Sequence, residues 1–266
     1  MQLMKRQRLS LPSRLLIYTL ILALAAVFIV GYIRRLLVTS DYFRVKEVTL
    51  IGEVEAEFPY LKGKNIFLLD LPYESAYIAR FCPDCLRVRL ARVLPDKLFV
   101  KFIKRQTLAL VELYRYFAVD ENAVLYDTQL TPQDCKVPLI TGLKQKLPQV
   151  KTGREYKIKE LTLSLDIIQE MGKFSNLKSY PIQKIDILGL DDATIFIIID
   201  AGSSLYSNWQ MPQKQKILEV RISQGNIIEK IAVMSGLINQ EKDNLGNIKY
   251  IDLRFKEPVI KFKDAK

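Results

Sequence analysis

The first hydrophobic stretch of this chain has no period at all. Residues 15–33, LLIYTLILALAAVFIVGYI, are 19 consecutive positions without a charge. A bilayer core about 30 Å thick is crossed by roughly 20 apolar helical residues, so this stretch predicts a membrane-spanning helix with Tyr18 and Tyr32 toward the two interfaces. A cleavable signal peptide has a shorter apolar region, about 7 to 15 residues, ending in a small-x-small site. Here the run ends in Arg34-Arg35-Leu36-Leu37, which offers no such site, and a retained anchor over residues 15–35 is expected. Lys5, Arg6, Arg8, Arg14 and the amino terminus outweigh Arg34 and Arg35, which places the basic tail 1–14 in the cytoplasm and the bulk of the chain outside.

Beyond the anchor, strand and helix periods alternate in two parts. Residues 42–112 read strand, short helix, helix, strand, strand. Residues 45–51 are rich in β-branched side chains and end at Gly52; residues 87–93 alternate with Val88 and Leu90 inward; residues 97–103 follow the Leu94-Pro95-Asp96 turn. Asp70 caps a segment in which Pro72, Tyr73, Ala76, Tyr77 and Ile78 keep helical spacing up to Phe81. Two helices laid on a small three-stranded sheet are expected.

Residues 113–262 are richer in strands. Residues 116–119 and 123–126 flank the turn signal Asp120-Glu121-Asn122, and Leu139-Ile140-Thr141-Gly142 closes another extended run. Residues 185–188 and 194–199 form strands around the 189–192 turn, and the second is apolar almost throughout, as a strand covered on both faces must be. Ile158, Leu161, Leu165 and Ile168 predict a helix over 157–171, and a further helix is expected from near Pro212 through Ile217, Leu218 and Ile222. Strands at 248–255 and 259–262, broken at Pro258, precede a short tail, 263–266. The fold class is α+β: one N-terminal transmembrane helix, a small sheet with helices, then a mixed β domain with an antiparallel-rich sheet.

Charge changes this picture little. The formal net charge is +11, but six basic residues and no acid lie within residues 1–35, leaving 34 basic against 29 acidic side chains in the rest. A solvated basic surface facing an anionic envelope accounts for that balance better than nucleic-acid binding. Candidate chemistry is sparse. The absence of histidine removes the commonest general base, Ser-His and Cys-His nucleophile pairs and His-ligated metals. With no glycine-rich phosphate loop either, a non-enzyme without cofactor is the favoured class. Cys82-Pro83-Asp84-Cys85 has redox-pair spacing, but it follows a helix and lacks a surrounding βαβ pattern. A structural disulfide closing a helix-to-strand turn is the leading reading, with free thiols, redox activity and a zinc site as alternatives. Cys135 is then an odd thiol.

Several segments resemble a known family. Phe43-Arg44-Val45 with residues 48–52, then Gly63-Lys64-Asn65-Ile66-Phe67-Leu68-Leu69-Asp70-Leu71, is similar to the opening of a POTRA domain in the FtsQ/DivIB bacterial cell-division proteins. Ala91-Arg92-Val93-Leu94-Pro95-Asp96-Lys97-Leu98 resembles the family's next strand-turn-strand, Tyr116-Phe117-Ala118-Val119-Asp120-Glu121-Asn122 the start of its β domain, and Tyr250-Ile251-Asp252-Leu253-Arg254-Phe255 its C-terminal signature. The chain departs from the family where Lys104-Arg105-Gln106-Thr107-Leu108-Ala109 replaces Glu-Arg-x-Pro-x-Ala, where Ala123 replaces the glycine after the Val-Asp turn, and in the Cys82/Cys85 pair.

The resemblance implies a bitopic divisome component of the bacterial inner membrane, without catalytic activity, concentrated at the septum. Residues 42–112 are then the POTRA domain, serving recruitment of other divisome proteins. Residues 113–262 are the β domain that binds single-pass partners similar to FtsB (DivIC) and FtsL, linking them to septal peptidoglycan synthesis. The partner-binding residues implied are Arg254, Phe255, Lys256, Val259 and Ile260, on a final strand whose free edge accepts a partner strand. Strand alternation puts Ile251, Leu253 and Phe255 on one face, and Tyr250, Asp252 and Arg254 on the other. Arg254 then meets an acid either of the partner or within the domain, and Lys256, Pro258, Lys261 and Lys263 are equally readable as edge protection. Two other classes remain: a POTRA-bearing transport or secretion component, which predicts repeated units or a barrel, and an envelope enzyme using carboxylates such as Asp120 and Asp252, which requires two acids converging in a cleft.

Overall fold

A computed structural model describes residues 11–52, 56–133, 136–199 and 216–263, with the backbone alone at 11–14. The expected start of a helix at Pro212, Cys135, and most of the two terminal tails lie outside the described residues. The apolar run is one helix, α1 (Leu11–Thr39), long and apolar enough over Leu15–Thr39 to cross a membrane. The chain divides into two compact units between Ile103 and Lys104.

The first unit holds a three-stranded sheet in the order β1-β3-β2, built from β1 (Glu47–Ile51), α2 (Leu71–Ala79), β2 (Cys85–Val93) and β3 (Lys97–Lys104). Strands β1 and β3 run parallel, Glu47 opposite Lys97. Asp70 caps α2 by accepting from the Tyr73 N–H, and Pro72 sits in the first turn, where a missing N–H costs nothing. Leu61, Ile66, Ile78, Leu98 and Val100 make a dry core between helix and sheet. The Arg92 guanidinium fastens the intervening loop, donating to the Ile66 carbonyl at 2.7 Å and the Leu69 carbonyl at 2.6 Å. In place of the first of two expected helices, the described residues contain one 3-10 turn, Pro59–Leu61. Pro59 opens it and Gly63, at φ +81°, turns the chain away, so no longer helix fits.

Among its described residues the second unit contains a ten-stranded mixed sheet: β4 (Ala109–Glu112), β5 (Tyr116–Val119), β6 (Val124–Asp127), β7 (Leu139–Thr141), β8 (Arg154–Glu155), β9 (Ile182–Gly189), β10 (Asp192–Ile198), β11 (Ile217–Ile222), β12 (Ile248–Asp252) and β13 (Val259–Phe262). Their order is β13-β12-β11-β10-β9-β7-β4-β5-β6-β8. Most neighbours are antiparallel; β4–β7, β7–β9 and β11–β12 are parallel. Helices α3 (Lys159–Lys173) and α4 (Ile227–Gln240) pack together and share one core with the sheet's inward side chains. Strand β7 is followed by Gly142 for a steric reason: at φ +93°, an added Cβ would stand 2.0 Å from the Ile187 carbonyl oxygen.

Three expectations need correction. Residues 109–112, expected in the first part, are β4 of the large sheet. Ile217, Leu218 and Ile222 belong to a strand, β11, whose Leu218, Val220 and Ile222 are buried with period two while Arg221 faces Thr194 across the ladder. The helix comes later, as α4, with Ile231, Met234 and Ile238 buried at helical spacing; each fully buried apolar side chain stabilises by about 1.5–3 kcal/mol. Finally, β10 is covered on one face only. Ala193, Ile195 and Ile197 are buried, whereas Phe196 lies on the half-exposed face with the Lys184 ammonium 5.7 Å from its ring centroid.

Candidate partner-docking edge

Strand β12 starts with Ile248 and Ile251 in the core, and Leu253 extends the apolar series past its last residue. The Leu253 N–H still donates to the Arg221 carbonyl at 2.8 Å, but there the chain bends through residues 254–257 before β13 returns antiparallel, pairing Asp252 with Val259 and Ile251 with Ile260. The predicted inward series Ile251, Leu253, Phe255 therefore breaks at its last member. Phe255 is 63% exposed because the backbone has already left the sheet plane.

Asp252 is the polar centre of this bend. It is 4% exposed and would be costly there without partners. Its Oδ1 accepts from the Arg254 N–H and Nε, both at 3.0 Å, and its Oδ2 accepts from Arg254 Nη2 at 2.8 Å. Arg254 Nη1 reaches Asp192 Oδ1 on β10 at 3.1 Å, so one guanidinium ties the bend to a strand two places into the sheet. Burial raises the Asp252 pKa, but the hydrogen bonds and charge of Arg254, with the charge of Arg221, outweigh it and leave the carboxyl below its ordinary value. The hydrogen bond and charge of Asp252 in turn hold Arg254 protonated. Of the two roles open to Arg254, an acid of a partner or an acid within the domain, the structure gives the second, with Asp252 and Asp192 as its partners.

The other expected docking residues divide by position. Phe255, Lys256 and Val259 are exposed, Val259 at 47%. Ile260 is partly buried, packed against the main core. Phe262, which the sequence reading passed over, is exposed at the end of the same strand. Its signal was an aromatic between two lysines after Pro258, read there as edge protection. Among the described residues β13 pairs with β12 alone, so one row of its backbone N–H and C=O groups faces outward. The strand's end is held by Lys263, whose N–H donates to the Asn247 carbonyl and whose Nζ donates to the Gly246 carbonyl, both at 2.8 Å.

In the first unit, Cys82 and Cys85 are joined by a disulfide, with Cα atoms 5.2 Å apart, between the end of α2 and the start of β2. Cys82, Asp84 and Cys85 also form a cluster with metal-ligand spacing, but bonded sulfurs offer no thiolate to an ion. The two acids singled out for hydrolytic chemistry do not converge. Asp252 ends β12, and Asp120 follows β5, six strand intervals or roughly 29 Å away, against the roughly 5–9.5 Å that paired carboxylates need. Asp120 is also spent locally: it pairs with Arg105, and its Oδ1 accepts from the Asn122 and Val124 N–H groups at 2.9 Å.

Compared with known proteins, the chain matches no protein-family model and no curated protein.

Proposed function

We propose that this chain is a single-pass, non-enzymatic scaffold of the bacterial division machinery, of the FtsQ/DivIB type. Its N-terminus lies in the cytoplasm and both folded units outside the inner membrane. In this reading the small unit is a POTRA domain that brings the protein to the septum. The ten-stranded unit holds partners similar to FtsB (DivIC) and FtsL, and through them influences septal peptidoglycan synthesis. It acts without cofactor and does not bind nucleic acid. The observation that carries the reading is the outer edge of β13: a strand with free main-chain groups, flanked by exposed Phe255, Val259 and Phe262 and braced from behind by the Arg254 fork. Main-chain pairing supplies affinity to an added strand, and alternate side-chain pockets supply selectivity. The ordered series of family-like motifs and the apolar helix α1 support it.

Two experiments test this. A fluorescent fusion followed in dividing cells should form a ring at midcell, and uniform peripheral label would overturn the division role. A reporter active only outside the cytoplasm should work when fused after Lys266 and a cytoplasmic reporter should not; the reverse result would overturn the topology.

A further inference from the structure

We infer that the outer end of α1 and the loop Lys64–Leu69 together form a seat for one anionic phospholipid. This rests on the reading that α1 spans the membrane. Helix α1 runs 29 residues, about 43 Å, whereas its charge-free stretch, residues 15–33, covers about 28 Å, nearly one hydrocarbon core. Residues 34–39 therefore stand about 9 Å proud of the core, at headgroup height.

Asn65 fixes the domain to that end. Its Nδ2 donates to the carbonyls of Leu37 and Val38, both at 2.9 Å, capping the helix C-terminus, and its Oδ1 accepts from the Phe67 N–H at 2.9 Å. A groove of about 340 Å³ is left between helix and loop, lined by Val30, Ile33 and Leu37 on one side, Phe67 and Leu68 on the other, and Arg34 at its rim. Val30 and Ile33 lie within the charge-free span and Arg34 just beyond it, so the groove crosses the border between hydrocarbon and headgroups.

Two features identify the occupant. Leu68 is 65% exposed on a loop that water alone would leave unfavourably apolar, and it lines the groove together with Val30 and Ile33 of the charge-free span. Arg34 and Arg35 are exposed and, among the described residues, have no ion pair, although basic residues on a translocated flank run against the usual charge asymmetry of anchors. The Arg34 guanidinium at the edge of an apolar slot, with Arg35 next along the helix adding charge nearby, complements a phosphate with a second negative or hydroxyl-rich headgroup, its acyl chain lying along Val30 and Ile33.

The test is native mass spectrometry of the full chain released from detergent micelles containing equal phosphatidylglycerol and phosphatidylcholine, alongside carbonate extraction of membranes. The wild-type chain should retain one phosphatidylglycerol with about tenfold preference, as expected for one or two charged hydrogen bonds. Arg34→Gln with Arg35→Gln should abolish the preference. Leu68→Asn, which changes no charge, should reduce retention as well, a response that diffuse attraction to the N-terminal basic tail would not give. Equal retention of both lipids, or retention unaffected by either variant, overturns the seat while the chain resists carbonate. Release by carbonate overturns both the seat and the membrane span.

Discussion

The two ends of the ten-stranded sheet solve the edge problem in opposite ways. At one end β8 is two residues long, Arg154 and Glu155, both exposed and charged, a strand too short and too polar to recruit another chain. At the other end β13 has four residues, two of them exposed apolar side chains, and exposed Phe255 lies just before it. The bend behind β13 carries the multidentate Asp252–Arg254–Asp192 cluster, whereas β8 is steadied by main-chain bonds such as Gly153 to the Leu125 carbonyl and Tyr156 to the Ala123 carbonyl. On the function proposed above, the edge that displays apolar groups is the one left open for pairing, and the clipped, charged edge is the one closed to it.

The largest effect expected from breaking this contrast comes from Arg254→Ala, which strands a buried carboxylate and should lower unfolding stability by about 3 kcal/mol in denaturant titration. A loss of partner binding in that variant would be uninformative on its own, because the bend itself is disturbed. Phe255→Ala combined with Val259→Lys is the cleaner cut: partner affinity should drop about 30-fold, equivalent to about 2 kcal/mol, while stability changes by no more than about 0.5 kcal/mol. Equal weakening by Arg154→Ala with Glu155→Ala would erase the distinction between the edges.

Smaller effects sharpen it. Cys82→Ser with Cys85→Ser should cost the small unit at most about 2 kcal/mol, since the disulfide closes a very short loop, and should leave affinity at β13 unchanged in the same titration. Near the blunt edge, Ala123 holds φ +57°, a left-handed conformation that disfavours any Cβ, so Ala123→Gly should raise the melting midpoint by an amount equivalent to about 1 kcal/mol. Last, the Asp252 carboxyl is depressed in the folded state. Its contribution is therefore present above the unfolded value of about 3.9 and lost as pH falls through the lower folded value. Stability measured from pH 8 to 5 should show no slope from this group, and Asp252→Asn should remove the part of the acid-side decline that it supplies.

Ala123 shows how far a sequence can be read. The signal Asp120-Glu121-Asn122 marked the turn between β5 and β6, but not the left-handed φ of +57° that Ala123 adopts as the chain enters β6. The apolar helix, the cap at Asp70, the β5–β6 hairpin, α3 and the last strand, Val259–Phe262, were legible for one reason: each is set by neighbours within a few residues, through period, capping or turn chemistry. The run from Ile217 to Ile222 was not, because its apolar spacing satisfies both periods and only pairing with β10 and β12 selects the strand. The residues at the bend before β13 were legible in composition but not in placement. Sequence alone placed an arginine and a phenylalanine side by side near the end of the chain. Tertiary structure turned Arg254 inward and Phe255 outward: burial of Asp252 requires a charge partner, which Arg254 supplies while also reaching Asp192 on β10, whereas a residue past the last ladder bond is free to leave the sheet.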